Sequence, residues 1–298
     1  MWRSAIRLSA LLMLSALFTR TATAVVVDGR LDPEYGPALA TQSVQSHNGS
    51  AQHTTGVLQA GGSELDQAFA FIAGDTLFVL ATGELGDYVG NQPSKDRHQF
   101  LLLDTGAPGQ NTILGSQPSA GDLFRIAGLT LDAGFQARYA LGSSWAAGDL
   151  DEEFCSLPPG APCTGYRVGA FPYYSPQGSS LTGGPDGIQV GIDNSSLAGV
   201  PYGCGAASGA GVTTGIEWAV PLAAIGHPTG CVRICAFLFD GNDVTNQVLG
   251  SVPVGTCSLG PPATANFASV AGDQFFSVCS TPSPVRPSTW GSLKTRFR

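Results

Sequence analysis

Apolar residues in this chain recur at every second position or in short unbroken runs, and Gly, Pro, Asn and Asp separate those runs. That is the pattern of β-strands joined by turns. It predicts strands at 24–28 (AVVVD), 66–73 (DQAFAFIA), 76–85 (TLFVLATGEL), 98–104 (HQFLLLD), 135–141 (FQARYAL), 166–171 (YRVGAF), 187–193 (GIQVGID), 214–221 (TGIEWAVP), 231–240 (CVRICAFLFD) and 275–279 (FFSVC). In 135–141 the residues Phe135, Ala137, Tyr139 and Leu141 share one face while Gln136 and Arg138 point away, as in a half-solvated strand. Segments 76–85 and 231–240 are apolar on both faces, as expected of central strands. Gly74-Asp75 reads as a hairpin turn. The one persuasive helical piece is 221–226 (PLAAIG), with Pro221 at its start. No repeat of about 20–50 residues interrupts the series, which disfavours a propeller or solenoid. The prediction is a single all-β domain, an immunoglobulin-like or jelly-roll-like antiparallel β-sandwich with long Gly/Pro-rich loops.

The two ends break this pattern. Residues 1–24 combine a basic start (Arg3, Arg7), an eleven-residue apolar run from Leu8 to Phe18 and Ala22-Thr23-Ala24, which reads as a secretory signal peptide. The apolar run is too short to span a bilayer, and no later stretch has the ~18 apolar residues of a transmembrane helix. Residues 280–298 open with a Pro/Ser/Thr-rich linker and end in a basic tail, TWGSLKTRFR. The tail resembles short W-G-x-x-K tails on exported bacterial proteins. It reads either as an address for sorting machinery or as a frayed terminus. The domain proper is then 25–279, and the chain is expected to be exported: extracellular, at the cell surface or periplasmic.

Composition sharpens that division. Of 298 residues, 40 are Gly and 20 are Pro, and only 12% are charged, which argues against a helical bundle. All 22 acidic residues but only seven of the 14 basic ones fall in 25–279, so the body is strongly negative. It lacks the basic footprint that nucleic acid requires. Neutral ligands, cations or simple solubility remain. Seven cysteines suit an oxidising compartment. Cys155 and Cys163 bracket a tight Pro/Gly loop and are the expected local disulfide. Cys231 and Cys235 lie roughly 13 Å apart along one strand, too far for one bond, so separate partners are expected among Cys204, Cys257 and Cys279, with one thiol left over. There is no C-x-x-C pair for zinc.

No hydrolase, metalloprotease or phosphate-loop motif is present, and no enzymatic activity is expected. The densest acids, Asp149, Asp151, Glu152 and Glu153 in GDLDEEF, read as a solvated loop, with metal binding a better use of them than glycosidase chemistry. Asp240, Asn242 and Asp243 in FDGNDVTNQ offer oxygen ligands of the kind Ca²⁺ takes, against a plain turn as the default. Asp28, Asp32 and Glu34 in DGRLDPEYG pose the same choice. Ca²⁺ is the one cofactor the sequence raises. A sugar platform needs exposed aromatic faces. The candidates outside clear core strands are Tyr88, Trp145, Tyr173, Tyr174 and Tyr202, with Trp145 and the 171–178 loop foremost. Trp218 shares a strand face with Ile216 and Val220 and reads as core, with Glu217 facing the other way.

The order of segments carries a resemblance. VVDGRLDPEYGPA from Val26, AGDTLFVLATGEL, HQFLLLDTG, TGIEWAVPLAAIG and CVRICAFLFD resemble, in order, the strands of family 9 carbohydrate-binding modules and related DOMON-like sandwiches. More narrowly, GGSELDQAFAFI, LDTGAPGQN, LTLDAGFQARY, GIDNSSLAGV, TGIEWAVPLAAIG and AGDQFF resemble uncharacterised exported bacterial proteins. The resemblance implies a non-catalytic module that binds glycan or another envelope polymer. The alternative is a structural or adhesive envelope protein with no small-molecule site, attached or sorted through its tail. A haem-binding DOMON module is disfavoured because Met1 and Met13, the only methionines, lie in the signal peptide.

Overall fold

The computed structural model describes residues 25–47, 62–86, 88–89, 92–93, 97–115, 122–146, 149–172, 174–196, 198–250 and 252–280. The signal-peptide reading, Tyr173 and the basic tail lie outside the described residues. The strands in chain order are β1 (Ala40–Thr41), β2 (Ser63–Ala73), β3 (Thr76–Leu85), β4 (Tyr88–Val89), β5 (Gln92–Pro93), β6 (His98–Asp104), β7 (Tyr139–Ala146), β8 (Asp149–Ser156), β9 (Thr164–Pro172), β10 (Ser179–Gly183), β11 (Ile188–Ile192), β12 (Gly215–Pro221), β13 (Cys231–Phe239), β14 (Val244–Leu249), β15 (Ser258–Gly260) and β16 (Phe276–Cys279). Among the described residues helical structure is confined to short 3-10 turns, one of them Leu222–Ile225, where Pro221 and Gly226 delimit the expected helical piece.

Apart from the two-stranded β4–β5 ribbon, the strands build two antiparallel sheets. One runs β1-β2-β3-β12-β11-β10, and the other runs β15-β14-β13-β6-β7-β8-β9 with β16 added beside β13. Alternation along each strand decides what lies between them. Leu77, Val79 and Ala81 of β3 and Ile216, Trp218 and Val220 of β12 meet Leu101 and Leu103 of β6 and Ile234, Ala236 and Leu238 of β13 in one inter-sheet core. This is the all-β sandwich the periodicity predicts.

Neither sheet leaves its outer face bare. Phe100 and Leu102 of β6, with Phe237 and Phe239 of β13, pack beneath Ile113, Ile126, Leu129 and Phe267 from the long connections. On the other sheet Tyr35 covers Phe69 and Leu80. The Gly- and Pro-rich loops thus act as cladding. That explains why β3 and β13 are apolar on both faces and why so few charges are needed.

Several strand expectations are corrected. Residues 25–28 are not a strand; they belong to an N-terminal segment laid over β11 and β12. Residues 135–138 precede β7 rather than opening it, because Ala137 makes a single bridge to Gln110. The acidic stretch GDLDEEF is not a solvated loop but β8, paired on both sides by β7 and β9. Strands β10 and β14 carry polar sequences, SSLTG and VTNQVL, that periodicity does not single out.

Three disulfides join Cys155 to Cys163, Cys204 to Cys257 and Cys231 to Cys279. The expected local pair is present, and Cys231 and Cys235 do part company. Cys235 is the free thiol, buried in the outer core, where desolvation pushes its ionisation far upward. Three such bonds point to an oxidising, non-cytoplasmic environment. Among the described residues no helix is long and apolar enough to cross a membrane.

Candidate functional site

Of the aromatic candidates, Trp145 is withdrawn as a binding platform. It is 2% exposed, its ring lies in the inter-sheet core, and its Nε1–H donates to the Leu85 carbonyl at 2.8 Å. Flanking Gly, Ser and Ala residues make its segment look like a loop, but it is the inward-facing end of β7. Tyr174 and Tyr202 are 81% and 64% exposed.

Tyr202 stands on an unusually well-held surface loop. Ser46 and Tyr202 form a parallel bridge, with the Ser46 N–H donating to Pro201 O at 3.0 Å and the Gly203 N–H to Ser46 O at 2.9 Å. Two residues on, Cys204 is bonded to Cys257, and the Gly255 N–H donates to Cys204 O at 2.8 Å. Asn246 Nδ2 ties both sides together by donating to Gln45 O and Thr256 O, each at 2.8 Å. The Tyr202 ring stacks on His47, with centroids 5.8 Å apart and planes at 29°. Exposed Val254 rides on the second of the two clamped loops. His47, Cys204 and Cys257 converge as metal ligands would, but both sulfurs are spent in the disulfide.

Asp240, Asn242 and Asp243, which the sequence offers either to Ca²⁺ or to a plain turn, lie in a turn held by its own side chains. Asp240 Oδ1 accepts from the N–H groups of Asn242 (3.0 Å) and Asp243 (2.8 Å), while Asp243 Oδ2 accepts from Ser258 Oγ at 2.8 Å. This is an Asx-type cap closing the β13–β14 connection. Asp28 likewise caps the Arg30 N–H at 3.1 Å.

The chemically unusual groups are carboxylates that the sequence does not single out. Glu64 and Glu84 are directly opposed across β2 and β3. A bulge between Leu65 and Gln67 keeps Leu65, Ala68 and Ala70 in the inter-sheet core and brings Asp66 beside them under the 194–214 loop. Asp66 Oδ1 accepts from the Val200 N–H at 3.0 Å. Gly199, at φ +147°, passes so close that a Cβ there would collide with Glu64 Oε1 and both Asp66 oxygens. Burial, reinforced by mutual repulsion, raises Glu64 to about 9 and Glu84 to about 8; burial raises Asp66 to about 7.

Glu217, a further buried acid, forms a separate site on the outer face of β12. Its Oε2 accepts from the N–H groups of Asp28 (2.9 Å) and Gly29 (3.0 Å), and its Oε1 accepts from the Tyr35 hydroxyl at 2.7 Å. Desolvation nonetheless outweighs these bonds and raises it to about 7. Glu217 therefore fastens the N-terminal segment to the sheet.

A third polar set lies on the other sheet. Ser144 of β7 is directly opposite His98 of β6, and His98 Nδ1 is 3.5 Å from Asp122 Oδ2. The residue types suggest a nucleophile and base, but the geometry does not serve acyl transfer. Ser144 and His98 are buried, rings of Phe100 and Phe239 pack on the imidazole, and β7 is paired on both sides, so its amides are committed to ladders.

No family model, curated protein or solved structure matches this chain.

Proposed function

We propose that the protein is a non-catalytic, exported β-sandwich that binds carbohydrate or another surface polymer, with Tyr202 as its principal platform. The observation that carries this reading is the exposed Tyr202 ring, stacked on His47 and fixed by a disulfide-clamped loop. An aromatic face that is already ordered loses little entropy when a flat sugar face stacks on it. Tyr174, beside prolines 172 and 176, is the second platform. The surplus of acidic groups favours neutral polymers over anionic ones. The disulfides suit an extracellular or cell-surface setting, and the resemblance to carbohydrate-binding modules points the same way.

Retention of the purified protein on a panel of insoluble and gel-embedded polysaccharides tests the reading. At least one neutral polymer should retain it, Tyr202→Ala should weaken that retention about tenfold or more, and Tyr174→Ala should weaken it less. Trp145→Phe should leave retention unchanged while lowering the melting temperature, because the lost hydrogen bond lies in the core. No retention on any polymer would favour the structural envelope role instead.

A further inference from the structure

The three disulfides stand in different surroundings. Cys155 and Cys163 are both 0% exposed, so a dissolved thiol does not reach their bond. Cys231 and Cys279 face each other across the β13–β16 ladder, and the paired strands hold both ends of their bond. Cys204 and Cys257 instead join two surface loops, with Cys204 half-buried and Cys257 exposed. An imidazole also stands against this bond: the exposed His47 places Nδ1 3.8 Å from Cys204 Sγ. Thiol–disulfide exchange needs one sulfur that a thiolate can reach and another that leaves well. A neighbouring histidine stabilises a departing thiolate. Here the two requirements fall on the two ends of a single bond.

We propose that the Cys204–Cys257 disulfide is a thiol-exchange site, attacked at Cys257 by an external thiol and opened with Cys204 as the leaving sulfur. The attacking thiolate forms a new S–S bond to Cys257 Sγ as the Cys204–Cys257 bond breaks. The electron pair of the broken bond leaves on Cys204 Sγ, to which the His47 Nδ1–H donates. The product is a mixed disulfide on Cys257 and a free Cys204. Where the attacker is a dithiol, its second thiolate displaces Cys257 from the mixed disulfide. The dithiol is then oxidised to its own disulfide, and the protein bond has taken up two electrons. A strongly negative body favours a neutral thiol or dithiol over an anionic one. Opening the bond also changes the platform above it. Tyr202 lies two residues from Cys204, and only the Gly255 N–H to Cys204 O bond and the Asn246 bridge then tie its loop to the 253–257 loop among the hydrogen bonds described above. The exchange site stands whether or not Tyr202 binds a polymer.

The test exposes folded full-length protein briefly to 2-mercaptoethanol or dithiothreitol, quenches with an alkylating agent and maps each cysteine by peptide mass spectrometry. We expect 2-mercaptoethanol to leave its adduct on Cys257 and an alkylated Cys204. Dithiothreitol should leave both alkylated while Cys231 and Cys279 are still joined. Buried Cys235 should stay unlabelled as long as the fold is intact. His47→Phe keeps a ring for Tyr202 to stack on but removes the nitrogen, and it should slow opening by about tenfold or more. A purely structural His47 would give the opposite sign, because a loosened loop exposes the bond and opens faster. The proposal is overturned if Cys231–Cys279 opens as fast, if the adduct sits on Cys204, or if His47→Phe opens at the parent rate or faster. None of these readouts involves a polymer, so they stand apart from the test of Tyr202.

Discussion

Replacing Glu217 with alanine should destabilise the protein by roughly 3–5 kcal/mol, the largest effect expected of any single polar side chain here. The carboxylate is the common acceptor for the Asp28 and Gly29 N–H groups and the Tyr35 hydroxyl. Truncation leaves three donors without their acceptor, and the Tyr35 hydroxyl is buried among Phe69, Phe71 and Leu80, where water reaches it poorly. Each unsatisfied donor costs about 1–3 kcal/mol. Tyr35→Phe removes donor and bond together and should cost only about 1 kcal/mol. Glu217→Gln should fall between, because its amide can accept on one side only. Urea unfolding measures all three. Limited proteolysis should show that Glu217→Ala releases the segment around residues 25–36 while the strands stay protected. A Glu217→Ala protein within 1 kcal/mol of the parent would show that this acid does not fasten the segment.

The second large effect is an inverted pH dependence. In most proteins the resolved carboxylate shifts are downward and acid destabilises. Here burial raises Glu64 to about 9, Glu84 to about 8 and Asp66, Glu153 and Glu217 to about 7, and it raises Glu152 well above the ordinary range. A carboxyl raised on folding holds its proton longer in the native state than in the unfolded chain. Between its unfolded and folded values the native state therefore binds more protons, and stability falls as pH rises. The stabilisation is complete below about 3.8 and is progressively lost up to about 9. Thermal unfolding should accordingly show a melting temperature lower at pH 9 than at pH 5 by about ten degrees or more. A flat profile, or one that rises with pH, would contradict this account of the buried acids.

Much of this molecule was legible in its sequence, and the failures share a cause. Strands whose inward face is aliphatic, such as Leu77, Val79 and Ala81 in β3, announce themselves through period-2 alternation. Trp218 was readable as core because Ile216 and Val220 flank it at the same parity. β8 was not readable, because it carries acids on both faces: Glu152 points into the inter-sheet core and Glu153 points outward. What makes Glu152 tolerable there is non-local. Ser143, its partner across β7, donates its hydroxyl at 2.6 Å. Trp145 was misplaced because its neighbours are small and turn-like, and the Leu85 carbonyl that receives its N–H is 60 residues away. The acids around Asp66 went unnoticed because Glu64, Asp66 and Glu84 look like ordinary polar positions of half-exposed strands until the 194–214 loop closes over them.

Local pattern therefore determined the all-β class, the strands with aliphatic faces, the Gly/Pro turns and the Cys155–Cys163 bond, because each depends on residues close together along the chain. Tertiary structure alone decided which polar residues are buried. Burial depends on which distant segment lies on top. Once the loops clad both sheets, side chains that the sequence offered to solvent became anchors, caps and a cluster of carboxyl groups that hold their protons.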